Sequence, residues 1–113
     1  MRSVTLEVSS REKVNQRFLR AFQGASQGAC ISFESPELLF KVISGKRCGL
    51  LKVMIGAGPM TIREAARRMD RDVKAVHGDV QTLLKAGILQ KTEKGQVVFP
   101  FDAVHVDFML KAA

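Results

Sequence analysis

The sequence predicts a small α+β protein, mainly α-helical with small β elements. Apolar residues recur every three or four positions through most of the chain after Pro36, which is typical of amphipathic helices. Near both ends of the chain they alternate with polar residues, which is typical of short strands. The 113 residues are enough for one compact core, and the balance of apolar and charged residues is that of an ordinary globular protein.

Residues 1–34 are predicted to form a strand, a helix and a second strand. "SVTLEV" alternates, with Val4, Leu6 and Val8 on one face. Ser9 precedes Glu12 by three residues, the spacing of a capping box, and predicts a helix that continues through Phe22. "ACISFE" alternates again and predicts the second strand of a β-α-β segment.

Two helices are predicted over residues 35–60. Ser35-Pro36 is a helix-start signal because proline is tolerated in the first helical turn. "ELLFKVIS" then places Leu38, Leu39, Val42 and Ile43 on one face. A second helix is expected over residues 46–55, ended by "GAGP".

The following segment has the pattern of two short helices joined by a tight turn. "TIREAARRM" places Ile62, Ala65, Ala66 and Met69 at helical spacing, and in the polar turn "DRD" Asp72 is positioned as an N-cap. "VKAVHGDVQTLLKAG" continues with one apolar stripe. That stripe contains Val73, Val76, Val80, Leu83, Leu84 and Gly87. Two helices so connected indicate a helix-turn-helix.

A predicted β-hairpin directly follows the second helix. "ILQKT", "EKG" and "QVVFPF" are typical of a strand, a glycine-containing turn and a strand. A hairpin in this place predicts the wing of a winged helix-turn-helix over residues 88–100, within a domain of residues 35–113. A last strand is expected where Val104, Val106, Phe108 and Leu110 alternate with polar residues. Because residues 1–34 are not needed for a minimal winged helix, we expect them to serve dimerisation or partner docking.

The net charge of +7 favours a polyanionic partner, most often nucleic acid. The excess of Lys and Arg is spread over residues 1–96 rather than gathered in a tail. A generally solvated basic surface is the alternative explanation.

The second helix of a helix-turn-helix enters the major groove of DNA, and its exposed side chains meet base edges and phosphates. Lys74 can bind guanine or a phosphate, and Gln81 can pair with an adenine edge. Arginines of the first helix are placed for backbone phosphates, and lysines of the wing for the flanking backbone or minor groove. The predicted DNA-binding residues are Thr61, Arg63, Arg67, Arg68, Arg71, Lys74, Ala75, His77, Gly78, Gln81, Lys85, Lys91 and Lys94. The alternative is a winged helix used only for protein contacts, with its Lys and Arg side chains solvated.

Two His-x-Asp pairs raise the question of a metal or proton-transfer site. His77 and Asp79 point roughly 200° apart on a helix, so we expect His77 to contact DNA and Asp79 to pair with a nearby arginine. His105 and Asp107 share a strand face, but two ligands are too few for a closed zinc site. We expect both to lie on the solvent face of that strand, and no metal or cofactor is expected.

Other classes of function have little support. Cys30 and Cys48 stand without a CxxC partner, and we expect them to act as small buried hydrophobes. The chain lacks a Ser/His/Asp constellation and a phosphate-cradling glycine loop, so we expect no enzyme activity. With no long apolar run and no apolar segment at the N-terminus, the expected location is cytoplasmic, without a membrane partner.

Most of the chain from Phe33 to Leu110 resembles a small prokaryotic family of winged helix-turn-helix transcriptional regulators, loosely MarR-like. The stretches that carry the resemblance are "SPELLFKVISGKRCGLLKVM", "TIREAARRMDRDVKAVHGDV", "LLKAGIL" and "VVFPFDAVHVDF". The resemblance implies sequence-specific binding of double-stranded DNA by a homodimer acting as a repressor. It also implies an alternative, since some members are antitoxins that bind a small toxin and repress their own operon. The recognition positions that it implies are Arg71, Lys74, Ala75, His77, Gly78 and Gln81; relatives often have a basic residue where this chain has Gly78.

Overall fold

The computed structural model describes residues 2–8 and 29–110. The described residues form an α+β fold of four helices and five strands. In chain order these are β1 (Ser3–Val8), β2 (Ala29–Phe33), α1 (Pro36–Val42), α2 (Gly45–Met54), α3 (Ile62–Met69), α4 (Val73–Lys85), β3 (Gln90–Lys91), β4 (Val97–Val98) and β5 (Ala103–Asp107). The helix predicted from the Ser9–Glu12 spacing lies outside the described residues.

The helix-start signals in the first half of the chain are confirmed at α1. Ser35 is the N-cap, and its hydroxyl oxygen accepts a hydrogen bond of 3.2 Å from the backbone N–H of Leu38. Pro36 follows as the first helical residue, where the lack of an N–H costs nothing. The next helix, α2, begins at Gly45 and ends at Met54, within one residue of its predicted bounds.

Three parallel strands form a sheet in the order β2–β1–β5, so the strand nearest the N-terminus lies in the middle. In the register, Leu6 of β1 faces Ile31 of β2 on one side and Val106 of β5 on the other. All four helices of the described residues, and the β-hairpin, lie in the connection between β2 and β5. The two segments that the sequence analysis divides at residue 34 therefore share one sheet. The role of residues 1–34 in dimerisation or partner docking stays a prediction.

The core joins this sheet to the helices. Val4 and Leu6 are fully buried in the same apolar cluster as Leu39 of α1 and Leu50 of α2. Helix α1 packs on β1 and β2, whereas α2 packs on α3 and α4. The buried residues of the sheet, α1 and α2 thus belong to one core, and α2 supports the pair α3 and α4.

The apolar stripe of α4 is confirmed at its centre but not at its two ends. Val76, Val80 and Leu83 are buried, as predicted. Val73, the first residue of the helix, is 43 % exposed, Leu84 is half-buried, and Gly87, beyond the end of α4, is exposed. The predictions that Val73 and Gly87 are buried are therefore wrong.

Other apolar positions also differ from the sequence pattern. Leu38 was expected on the buried face of α1 but is 42 % exposed. Cys30 and Cys48 are exposed, so the prediction that they are buried is wrong. The last strand ends at Asp107, and Leu110 lies beyond it, exposed. Periodicity predicts which face of an element is apolar but does not by itself specify how deeply each residue of that face is buried.

A hairpin over residues 90–98 follows α4, as predicted. Strands β3 and β4 are antiparallel, and their turn is closed where Thr92 N–H donates to the carbonyl of Gln96 at 2.8 Å. Gly95 has a φ of 79°, the left-handed conformation that three-residue hairpin turns require. Val97 exchanges two backbone hydrogen bonds with Met60, of 2.8 and 2.9 Å, so the hairpin is also tied to the residue that precedes Thr61.

None of the helices in the described part of the chain has both the length and the apolar character needed to cross a bilayer.

Candidate nucleic-acid interface

Helices α3 and α4 are joined by a connection of residues 70–72, whose geometry is set by local capping. Asp70 ends α3 with φ 53° and ψ 49°, a left-handed conformation that Asp tolerates better than most residues. Arg71 N–H then donates to the carbonyl of Ala66 at 3.0 Å, so the last turn of α3 holds the backbone of the connection. Asp72 is the N-cap of α4, as predicted, and accepts from Ala75 N–H at 3.3 Å.

The side of α4 opposite its buried stripe is exposed, which agrees with the helical phase read from the sequence. We call this surface the α4 outer face; it consists of Lys74, Ala75, His77, Gly78, Gln81 and Lys85. Gln81 is half-buried and the other five residues are exposed. A Cβ atom added to Gly78 would meet none of the surrounding described atoms within 4 Å, so the space above this residue is open.

The arginines of α3 are exposed but not equally free. Glu64 accepts hydrogen bonds from the Nε atoms of Arg67 and Arg68, at 2.9 and 2.8 Å. The bond from Arg67 is the largest cause, and that from Arg68 the next, of the lowering of the pKa of Glu64 from 4.5 to about 2. The bond to Glu64 in turn raises the pKa of Arg67. Arg63 is exposed on the same helix. One carboxylate therefore partly neutralises two of the three predicted phosphate-binding arginines.

Arg71 is held in a partly buried ion cluster. Its Nη1 atom donates to Oδ2 of Asp79 at 2.9 Å, while Arg47 Nε of α2 donates to Oδ1 of the same carboxylate at 3.2 Å. The expected pairing of Asp79 with a nearby arginine is confirmed, with two arginines rather than one. Arg47 was not among the predicted residues, because it lies 32 positions from Asp79 and no local pattern links them.

The predicted residues outside α4 and the arginine clusters are also exposed. Thr61 is the N-cap of α3, and its hydroxyl accepts from Glu64 N–H at 3.1 Å. Lys91 and Lys94 are exposed on the hairpin. The Met60–Val97 bridge places this hairpin beside the start of α3.

The two His-x-Asp pairs do not form a common site. His77 is exposed on the α4 outer face, while Asp79 is turned towards Arg47. His105 and Asp107 are exposed on β5, as expected. Within residues 2–8 and 29–110, no three His, Cys, Asp or Glu side chains lie close enough together to hold a metal ion.

Val73, which the sequence pattern assigns to the core, lies exposed beside the α4 outer face. It is exposed at the first position of α4, directly before Lys74 and Ala75. The sequence carries no local signal for this exposure, because Val73 keeps the helical spacing of the buried stripe.

A separate apolar cleft of about 220 Å³ lies between α2 and the sheet. Its walls include Leu6, Leu51 and Val104, with Cys48 and Lys52 also contributing. The cleft is on the part of α2 that faces the strands, and none of the predicted DNA-binding residues lines it.

A search of curated proteins gave no match to the chain. Residues 42–106, which run from the last residue of α1 into β5, match the model of the protein family HVO_A0114. The matched part is more than half of the chain and includes α3, α4 and the hairpin. The chain therefore belongs to the HVO_A0114 family.

Proposed function

We propose that the protein is a winged helix-turn-helix transcriptional repressor that binds double-stranded DNA as a homodimer. In this proposal α4 lies in the major groove, the hairpin of residues 88–100 is the wing, and the arginines of α3 bind the backbone. It is a binding protein without enzymatic activity.

The observation that carries the proposal is the composition of the α4 outer face. Two lysines, a histidine and a glutamine lie there with only Ala75 and Gly78 between them. A helix face that docks on another protein usually has large aromatic or aliphatic side chains at its centre and few lysines. Cations and small residues instead suit a helix that must approach phosphates and base edges closely.

The surroundings of α4 support the same interpretation. Arg63, Lys91 and Lys94 are exposed on the elements that flank α4 along the chain. The Met60–Val97 hydrogen bonds tie the hairpin to the start of α3 rather than leaving it as a free loop. A tethered hairpin can contact the DNA backbone beside the groove at a defined distance from α4.

Val73 adds a candidate specificity contact. Its exposed side chain lies at the first position of α4, among the N-terminal residues that meet base edges in a helix-turn-helix. An apolar side chain there can contact the methyl group of thymine, which other bases lack.

A homodimer completes the proposal because one module of this size covers few base pairs. Two copies related by a two-fold axis would read two half-sites about one turn of DNA apart. Light scattering of the purified protein with and without DNA would measure this stoichiometry.

The experiment that tests the proposal is a selection of bound duplexes from random DNA at physiological salt. We expect enrichment of a two-fold symmetric motif, and no enrichment would overturn the proposal. With the enriched duplex, Lys74→Ala should cost about 1–3 kcal/mol of binding free energy if Lys74 reads a base, and should relax the preference at one position. Lys41→Ala, on α1, is the matched control and should leave that preference unchanged.

The antitoxin alternative stays a prediction. A small protein that co-purifies with the chain, and whose binding does not depend on Lys74, would favour it.

A further inference from the structure

The ion cluster behind α4 has an unusual charge balance. One carboxylate, that of Asp79, faces two guanidinium groups, one on each oxygen. The three side chains together keep one positive charge. Arg71 is therefore only partly neutralised, and the cluster still attracts an anion.

The cluster is partly buried. The side chains of Asp79, Arg71 and Arg47 are 15 %, 19 % and 23 % exposed. At this depth an ion pair is screened less than at the surface, and its geometry is held more firmly. Arg47 is itself fixed, because its Nη1 atom donates to the carbonyl of Lys41 at 2.6 Å at the end of α1.

Arg71 is consequently held at two points. Its backbone N–H is bound to α3, and its Nη1 atom is bound to Asp79 of α4. Within the described residues, its Nε and Nη2 atoms have no hydrogen-bond acceptor. These two nitrogen atoms remain available to bind an acceptor from another molecule, and they lie just before the start of α4.

We propose that Asp79 is a positioning residue for DNA binding, holding the Arg71 guanidinium so that Nε and Nη2 bind a backbone phosphate beside the start of α4. Arg47 holds the carboxylate from the other side and preserves the positive charge of the cluster. The inference rests on the proposed DNA-binding function and adds to it a residue that touches no DNA. A guanidinium suits this arrangement because its planar fork can bind a carboxylate and a phosphate at once, which a lysine ammonium cannot do with the same geometry.

Replacing Asp79 by asparagine distinguishes a positioning role from a simple charge effect, because the two predict opposite changes in DNA affinity. Loss of a negative charge near a polyanion should by itself tighten DNA binding. If Asp79 positions Arg71, Asp79→Asn should instead weaken binding of the selected duplex, about tenfold. Glu93→Gln, in the exposed turn of the hairpin, removes the same charge without touching the cluster and should bind equally well or more tightly.

The measurements are the dissociation constants of the selected duplex and of a scrambled duplex at several salt concentrations. Circular dichroism and a urea unfolding curve establish that each variant is folded at the assay temperature. Asp79→Asn is also combined with Arg71→Gln in a double-mutant cycle. Arg71→Gln alone should weaken binding of the selected duplex about tenfold, but in the Asp79→Asn background it should weaken binding less than about threefold.

Asp79→Glu keeps the charge and provides a second variant should Asp79→Asn fail to fold. The longer side chain displaces the carboxylate, so we expect affinity below that of the original protein and above that of a folded Asp79→Asn. The inference is overturned if Asp79→Asn binds as tightly as Glu93→Gln, if the two substitutions are additive, or if Asp79→Glu binds like the original protein. An original protein that selects no duplex overturns the proposed function itself, which distinguishes the two failures.

Discussion

At Gly78 we expect helix stability and the proposed DNA binding to make opposite demands. It lies in the interior of α4, where glycine costs about 1 kcal/mol relative to alanine. A Cβ atom there would meet none of the surrounding atoms of residues 2–8 and 29–110 within 4 Å, so no packing contact among them requires the glycine. We expect Gly78→Ala to raise the free energy of unfolding by up to about 1 kcal/mol and to weaken DNA binding, since the methyl group occupies the space a phosphate or base approaches.

Urea unfolding and duplex titration of the same samples measure both effects. Gly45→Ala, in the first turn of α2, is a control because a Cβ there also meets nothing within 4 Å. It should leave DNA binding unchanged. A stabilised Gly78→Ala that binds DNA as well as the original protein would contradict a close approach at this position.

Glu64 should make a small, pH-dependent contribution to stability. Its pKa is lowered to about 2 in the folded protein, so the bonds to Arg67 and Arg68 stabilise the fold fully above its ordinary value of 4.5. That contribution should fade as the pH falls from about 4.5 through about 2. Urea midpoints of Glu64→Gln and the original protein should therefore differ near pH 7 and converge near pH 2.

The same substitution tests whether Glu64 limits the α3 arginines. Releasing Arg67 and Arg68 and removing a negative charge should tighten binding to a scrambled duplex and steepen its salt dependence. Glu37→Gln, on α1, changes the same charge on a helix that packs on the sheet. If both substitutions changed binding to the scrambled duplex equally, the effect would come from net charge alone and not from the release of Arg67 and Arg68.

At the scale of elements, the hairpin should contribute affinity without sequence preference. Lys91 and Lys94 are exposed on a hairpin tied to Met60, which suits contacts to phosphates. Replacing both by glutamine should weaken binding about equally for selected and scrambled duplexes, and should reduce the slope of log affinity against log salt by about 1 per lysine. Titration at three or more salt concentrations measures the slope.

The paired replacement of Lys41 and Lys52, on α1 and α2, is the charge-matched control and should change the slope less. A changed sequence preference after replacement of Lys91 and Lys94 would show that the hairpin reads bases, contrary to the proposal.

The elements themselves were largely predictable, because their signals are local. The N-caps Ser35, Thr61 and Asp72 each accept a hydrogen bond from a residue three positions later. The hairpin turn depends on Gly95 and its immediate neighbours. The exposure of Val73 was not predicted, because the stripe pattern does not show where along a helix packing begins.

At the scale of the whole molecule, β1 should be essential to the fold of the helices. Leu6 is fully buried in the middle strand and belongs to the same core as Leu39 and Leu50. Leu6→Ala should lower the free energy of unfolding by about 2–5 kcal/mol, through lost burial and the cavity left behind. Chemical denaturation followed by circular dichroism measures the loss.

Ser3→Ala, at an exposed position of the same strand, should change stability by less than about 0.5 kcal/mol. If Leu6→Ala were equally mild, the sheet would not stabilise the helices, and residues 1–34 would act only as an appendage.

The sequence by itself determined the α+β class, the positions of the described helices and hairpin, and the phase of α4, because each depends on contacts within about four residues or on a period along one element. Tertiary structure alone decided that β1 lies between β2 and β5, since a strand's pattern shows which face is buried but not which strands are its neighbours. It also decided the pairing of Asp79 with Arg47 and Arg71, which depends on how α2 packs against α4. The sequence thus predicted which residues form the α4 outer face, whereas the packing of the helices produced the ion cluster of Asp79, Arg47 and Arg71 behind it.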